Sequence, residues 1–109
     1  MTNPQPGEIW LANISFTNGL QSKLRPVLVL WLDANDLVAA AVTSAFPRSS
    51  TDVPLRGWDS AGLRVPSTVR LSRLDCLEQT LLQRKLGVLT GEDAVRIRQT
   101  WVTHVKLQF

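Results

Sequence analysis

Apolar and polar positions alternate over short stretches for most of this chain, and only the last quarter carries a helical period. Residues 8–16 place Ile9, Leu11 and Asn13 on one face and Trp10, Ala12 and Ile14 on the other. That is a strand with two fairly apolar faces. Thr17-Asn18-Gly19 signals a turn, and residues 17–24 read as a loop carrying Lys23. Pro26, tolerated at a strand's first residue, starts a second strand over 27–32. This run is apolar at every position, so burial on both faces is expected. Asp33-Ala34-Asn35-Asp36 is a turn, and the apolar run 37–43 gives a third strand that closes a hairpin with the second.

Residues 45–51 form a polar loop with Pro47 and Arg48. Residues 52–55 are a short strand, and 56–66, with Gly57, Gly62 and Pro66, a longer loop. In 68–73, Thr68, Arg70 and Ser72 alternate with Val69, Leu71 and Arg73, which predicts a strand with a polar face. A helical turn is expected over 78–82, with Gly87 ending it or turning the chain. Ala94, Ile97, Trp101 and Val105 then recur at spacings of three and four. Thr90 stands as their N-cap, with Glu92 and Asp93 in the first turn, where the helix dipole favours anions. A C-terminal helix over 90–108 follows, and residues 1–6 are a short Pro-rich arm. Short strands with Gly/Pro turns and one helix predict a mainly β fold, a small barrel or sandwich with the helix on one side.

Composition narrows the chemistry. The 109 residues, 44% hydrophobic and 19% charged, suit a single globular domain over 1–109 that buries roughly 65% of its unfolded surface. No apolar run reaches the roughly 18 residues that cross a membrane. The N-terminus lacks the basic start and apolar stretch of a signal peptide, so a cytoplasmic protein without a membrane partner is expected. Cys76 and His104 each stand alone, which excludes an intramolecular disulfide and the usual Cys/His zinc sets. No metal and no cofactor are expected. Cys76 reads as a small apolar filler, His104 as a surface or interface residue, and Trp10, Trp31 and Trp101 as core. The net charge is +3, and nine of the twelve basic residues are arginine, whose planar fork suits phosphate. There is no Gly-rich phosphate loop, nucleophile elbow or triad.

Two constellations remain. Lys23-Leu24-Arg25-Pro26 sits at the mouth of the second strand, where a following proline restricts the arginine's backbone. Thr43-Ser44 ends the third strand. If the two strands form a hairpin, Arg25 and Thr43 lie at the same end of it, a donor set for a phosphate. Each also reads as an ordinary strand terminus, an arginine solvating the sheet end and hydroxyls capping a turn. Trp58, in a polar loop beside Asp59, either stacks a nucleic-acid base or pins its loop.

These residues resemble a family. Gly7-Glu8-Ile9-Trp10, Gly19, Lys23, Arg25-Pro26, the strand to Leu30, Thr43-Ser44, Gly62-Leu63, Ser67 and Leu86-Gly87-Val88-Leu89 are similar, in order and spacing, to the MazF/PemK toxins of bacterial toxin–antitoxin systems. The resemblance spans about residues 6–107. It implies a small SH3-like barrel of CcdB/PemK-like architecture with a C-terminal helix, acting as a homodimer. The implied activity is that of an mRNA interferase, a metal-independent, sequence-specific endoribonuclease that cuts single-stranded RNA. The implied partner is a cognate antitoxin whose disordered tail covers the RNA groove. Carried over residue by residue, the functional centre falls on Arg25 and Thr43. Lys23, Ser44, Arg70, Arg73 and Trp58 are the expected RNA-binding residues. The chain departs from the pattern at Ser72, where some members carry an aspartate, at Arg73, where many carry glutamine, and in lacking a histidine in the first long loop. Neither an arginine nor a hydroxyl is a comfortable base near neutral pH, so the sequence names no proton acceptor. Two other readings share the fold: a CcdB-like toxin that poisons gyrase, and a noncatalytic RNA-binding barrel.

Overall fold

In chain order the fold consists of β1 (Glu8–Ser15), β2 (Ser22–Asp33), β3 (Asp36–Thr43), β4 (Asp52–Pro54), β5 (Thr68–Glu78), a 3₁₀ turn (Gln79–Leu81), β6 (Leu82–Val88) and α1 (Gly91–His104). The structure, a computed structural model, describes residues 3–15 and 22–109. The expected Thr17-Asn18-Gly19 turn lies outside the described residues. The strands form one antiparallel sheet in the order β4-β5-β3-β2-β1-β6.

The sheet is the middle layer between two apolar clusters. Ile9, Leu28, Ala40, Val42, Val69 and Leu71 face one side, where they meet Val53, Leu55, Ala61 and the helical Ile97. Trp10, Ala12, Val27, Val29, Leu37, Ala39 and Leu77 face the other. Strands that supply both clusters need unbroken apolar runs, which is why β2 and β3 have them. Val53 on the first strand of the sheet and Leu86 on the last pack into the same cluster. The sheet therefore coils around that cluster, as a small barrel does.

Three strand expectations change. Pro26 is not a strand start: β2 begins at Ser22 and includes Lys23. It pairs with β1 from Leu28 back to Ser22, whereas its ladder with β3 stops at Val27–Ala41. Pro26 has no N–H to extend that second ladder. β2 is not buried throughout either, since Trp31 keeps 42% of its surface exposed and meets Trp101 edge-on at 5.9 Å. Gly87 lies inside a sixth strand rather than at a turn. Among the described residues β6 pairs only with β1, at the sheet edge, and Arg84 and Lys85 on it are exposed. An edge strand with one neighbour shows little apolar periodicity. Cys76 is exposed, not an apolar filler.

The helix ends at His104 rather than 108, with Val105 in an extended conformation. Thr90 caps it as expected, accepting the Asp93 N–H at 3.2 Å. Asp93 is fully buried and staples the helix to the loop after β4. Its carboxylate accepts the backbone N–H of Arg56 at 3.1 Å and of Gly57 at 2.8 Å, and pairs with Arg96 at 3.0 Å. Burial alone would raise its pKa. The two backbone N–H groups and the Arg96 guanidinium outweigh burial and hold it below the ordinary aspartate value. A lowered folded-state pKa stabilises the fold above the unfolded carboxylate's range and loses that contribution as pH falls through the folded value. Asp93→Asn turns a donor toward two donors, which costs roughly 2–4 kcal/mol. The variant should melt about 10 °C or more below wild type at pH 7, and the gap should close on acidification. A pH-independent gap, read by melting curves from neutral to acid pH, would show that the carboxylate's charge is not what holds the staple.

Candidate functional site

Beyond the Val27–Ala41 pair the two central strands separate, and the opening is a groove of about 410 Å³. Arg25 and Thr43 stand two residues beyond that pair on their respective strands, and both line the groove. Ile14, Pro26, Ala41, Val42, Ala45, Phe46, Arg48, Arg70, Arg73 and Asp75 complete its walls. Proline thus has a local role in the site: the ladder ends beside it, and the space left between β2 and β3 is walled by an arginine and a threonine.

The Thr43 hydroxyl oxygen accepts the backbone N–H of Ala45 at 3.1 Å. That bond fixes the side chain and leaves its O–H proton available to donate. The loop after β3 is anchored by Asp52, whose side chain is 1% exposed. Asp52 accepts the backbone N–H of Arg48 at 2.9 Å and the Arg70 guanidinium at 3.3 Å. Arg70 therefore enters the groove wall already paired with a carboxylate. The groove carries the charged side chains of Arg25, Arg48, Arg70, Arg73 and Asp75, a positive excess that suits an anionic ligand.

The expected site residues divide. Arg25, Thr43, Arg70 and Arg73 come together at this groove. Lys23 shares the strand face of Arg25, opposite Ile14, but stands outside the lining, as does the exposed Ser44. Trp58 is half-buried against the helix-side cluster, where its loop packs, so the loop-pinning alternative describes its position. Among the described residues, the aromatic side chain lining the groove is Phe46, 90% exposed. Sequence reading passed over Phe46, Arg48 and Asp75. The first two lie in a loop whose direction no periodicity reports.

Asp75 was hidden by an irregularity in β5. Arg70 pairs with Ala41 and Leu74 with Ala40, so Leu71, Ser72 and Arg73 are inserted between neighbouring rungs. Arg70 and Asp75, five positions apart, would face opposite sides of a regular strand. An odd insertion returns them to the same side. The simple alternation expected through Ser72 and Arg73 ends at Leu71. Ser72 is exposed outside the groove while Arg73 lines it.

The Glu8 motif is structural. Its carboxylate accepts the Trp10 indole N–H at 3.0 Å and the Gln5 backbone N–H at 2.8 Å, and pairs with Lys85 of β6 at 2.9 Å. Burial would raise its pKa, but Lys85 and the two N–H donors lower it. A second depression of about 300 Å³ lies between β4 and α1, lined by Arg96, Thr100 and His104 among others. It contains none of the expected site residues.

Comparison with solved structures finds the same fold in an endoribonuclease from a mycobacterial species, 19% identical, covering 100% of this chain and 97% of that one, with a TM-score of 0.75. A mycobacterial endoribonuclease in complex with its cognate antitoxin is 19% identical over 97% of this chain and 98% of that one, with a TM-score of 0.76. MazF from Deinococcus radiodurans is 21% identical over 98% and 100%, with a TM-score of 0.73. No curated protein matches the sequence significantly. The family profile described as "PemK-like, MazF-like toxin of type II toxin-antitoxin system" matches residues 5–103, nearly the whole chain and every wall of the groove, and the protein belongs to that family.

Proposed function

We propose that this toxin is an endoribonuclease that cuts single-stranded RNA in the groove between β2 and β3, without a metal ion. The observation that carries the reading is the junction of Arg25 and Thr43 at the open end of the β2–β3 hairpin. RNA contains its own nucleophile. A 2′-OH attacks the adjacent phosphorus, the bond to the 5′-oxygen breaks, and a 2′,3′-cyclic phosphate remains. The protein has to hold the backbone in line and stabilise the extra negative charge on phosphorus. Arg25 donates to the phosphoryl oxygens with its planar fork. Thr43, its oxygen occupied by Ala45, donates its proton to a second oxygen. Arg73 and Arg48 hold flanking phosphates, and Phe46 offers a face on which a base stacks.

The structure of a mycobacterial relative with its cognate antitoxin supports an antitoxin as partner here, and the arginine-rich groove suits an acidic, disordered antitoxin tail. We place the active protein in the cytoplasm as a homodimer. No helix of the described residues is long and apolar enough to cross a membrane. Purified protein incubated with a long single-stranded RNA in excess chelator should give a limited set of cuts ending in 2′,3′-cyclic phosphate. Intact RNA, or cuts that appear only when magnesium or manganese is added, would refute this reading.

A further inference from the structure

A limited set of cuts requires that some side chain read the bases, because phosphate contacts carry no sequence information. Single-stranded RNA presents base edges and base faces. No asparagine or glutamine lines the groove among the described residues, whereas one aromatic face does, that of Phe46. The residues around it are held on both sides. Upstream, the Ala45 N–H is bonded to the Thr43 hydroxyl at 3.1 Å. Downstream, Pro47 confines the Phe46 backbone to extended conformations, and the Arg48 N–H is bonded to the Asp52 carboxylate at 2.9 Å. That carboxylate is itself buried and paired with Arg70, its cross-strand partner on β5. The restraints flank a ring that is 90% exposed and belongs to neither apolar cluster. Trp10, Trp58 and Trp101, by contrast, pack in those clusters. A ring fixed at the mouth of an arginine-lined groove, with no part in the core, is arranged to meet a ligand.

Thr43 and Phe46 are three residues apart, so even a fully extended chain separates their Cα atoms by no more than about 11 Å. A phosphate held by Arg25 and Thr43 therefore brings a neighbouring base within reach of the Phe46 ring. We propose that Phe46 selects where this nuclease cuts, by stacking a purine of a nucleotide beside the scissile phosphate; the proposal rests on the RNA-cleaving function inferred above. Every base has a face that stacks, and without hydrogen-bond readout the preference follows stacking strength. A two-ring purine covers more of the Phe46 ring than a one-ring pyrimidine does. The stacked base takes no part in bond making or breaking, so the contact is equally strong before and during attack. It contributes to binding rather than to the chemical step. Arg25 and Thr43 then set the rate at a bound site, and Phe46 sets which sites are bound.

The test maps the cuts made in one long single-stranded RNA by wild type, Phe46→Ala, Phe46→Leu and Phe46→Trp, then measures kcat and KM on a short RNA spanning one mapped cut. Wild-type cuts should share a purine at a fixed position beside the cut. Losing one base–aromatic stack corresponds to roughly 5–150-fold. Phe46→Ala should show that loss mainly as a raised KM, together with loss of the purine bias. Phe46→Trp should keep the bias, and Phe46→Leu, apolar but without a ring, should not. An abasic nucleotide in place of that purine should raise KM for wild type and leave that of Phe46→Ala where it was. The ring is exposed, so all three variants should melt with wild type. Cuts without a common purine, or Phe46→Ala with wild-type KM and cut sites, would overturn the assignment and leave the nuclease reading intact. So would Phe46→Leu as selective as wild type, or an abasic RNA that penalises wild type and Phe46→Ala equally. Wild-type protein that leaves RNA intact would overturn both.

Discussion

Arg25→Ala should cut RNA roughly 10²–10³-fold more slowly than wild type, corresponding to the loss of about 2.7–4 kcal/mol of charge stabilisation by one preorganised donor. The preorganisation is visible in the strand. Arg25 is held by its pairing with Ala12 of β1 on one side and by Pro26, which fixes the next φ, on the other. On the third side the ladder with β3 has already ended, so the side chain meets an open groove rather than a neighbouring strand. It is exposed, and the exchange for alanine leaves both apolar clusters intact. The melting temperature should stay within the range of an ordinary surface substitution, about 0.5 kcal/mol. Arg25→Lys separates charge from geometry. It keeps the positive charge but loses the bidentate fork, so it should recover RNA binding more fully than rate. Cleavage by Arg25→Ala at close to the wild-type rate would remove Arg25 from the mechanism. A collapse in melting temperature would make its role structural.

The parts of this molecule that follow from regular periodicity were readable, and the parts made by breaks in it were not. The β2–β3 hairpin and the Thr90-capped helix each rest on a repeated pattern, so their ends could be placed within a few residues. Arg25 and Thr43 came together for the same reason, since a hairpin brings the start of one strand beside the end of the next. Asp75 is the opposite case. Its side of the sheet depends on three inserted residues that no composition or hydropathy rule announces. β6 was missed because an edge strand whose Gln83, Arg84 and Lys85 are polar and exposed has no apolar stripe to show. Trp58 packs inward from its loop, whereas Phe46, to which the sequence assigned no role, stands exposed at the groove. Which loop aromatic turns inward is decided by packing against Ala61 and Leu63 in one loop and by the Asp52 anchor in the other. The candidate site was legible where it coincides with a strand end and illegible where it depends on tertiary direction.

Gly62→Ala should destabilise the protein by roughly 2–6 kcal/mol, summing strain at a left-handed residue and overlap in a filled space. That is a large share of the 5–15 kcal/mol that holds a domain of this kind together. Gly62 has φ +90, a conformation an L side chain rarely adopts. A Cβ added there would overlap the carbonyl of Leu86, and one added to Gly87 would overlap the carbonyl of Ala61. The two glycines are thus a single contact, in which the loop after β4 and the edge strand β6 approach backbone to backbone. The two short motifs Gly62-Leu63 and Leu86-Gly87, far apart in sequence, meet in this one approach. Their flanking side chains, Ala61, Leu63 and Leu86, all pack into the helix-side cluster, so forcing the backbones apart also opens that core. Gly91→Ala is the control. Nothing lies within 4 Å of the added carbon at the helix start, and alanine there should leave stability unchanged or raise it by up to about 1 kcal/mol. Denaturant unfolding of the three variants should rank Gly62→Ala below Gly87→Ala, because only the first adds backbone strain to the overlap, with Gly91→Ala at or above wild type. The groove lies on the other face of the sheet, so Gly62→Ala assayed well below its melting point should still cut RNA. A Gly62→Ala protein as stable as wild type would mean that the loop and β6 do not approach this closely in solution.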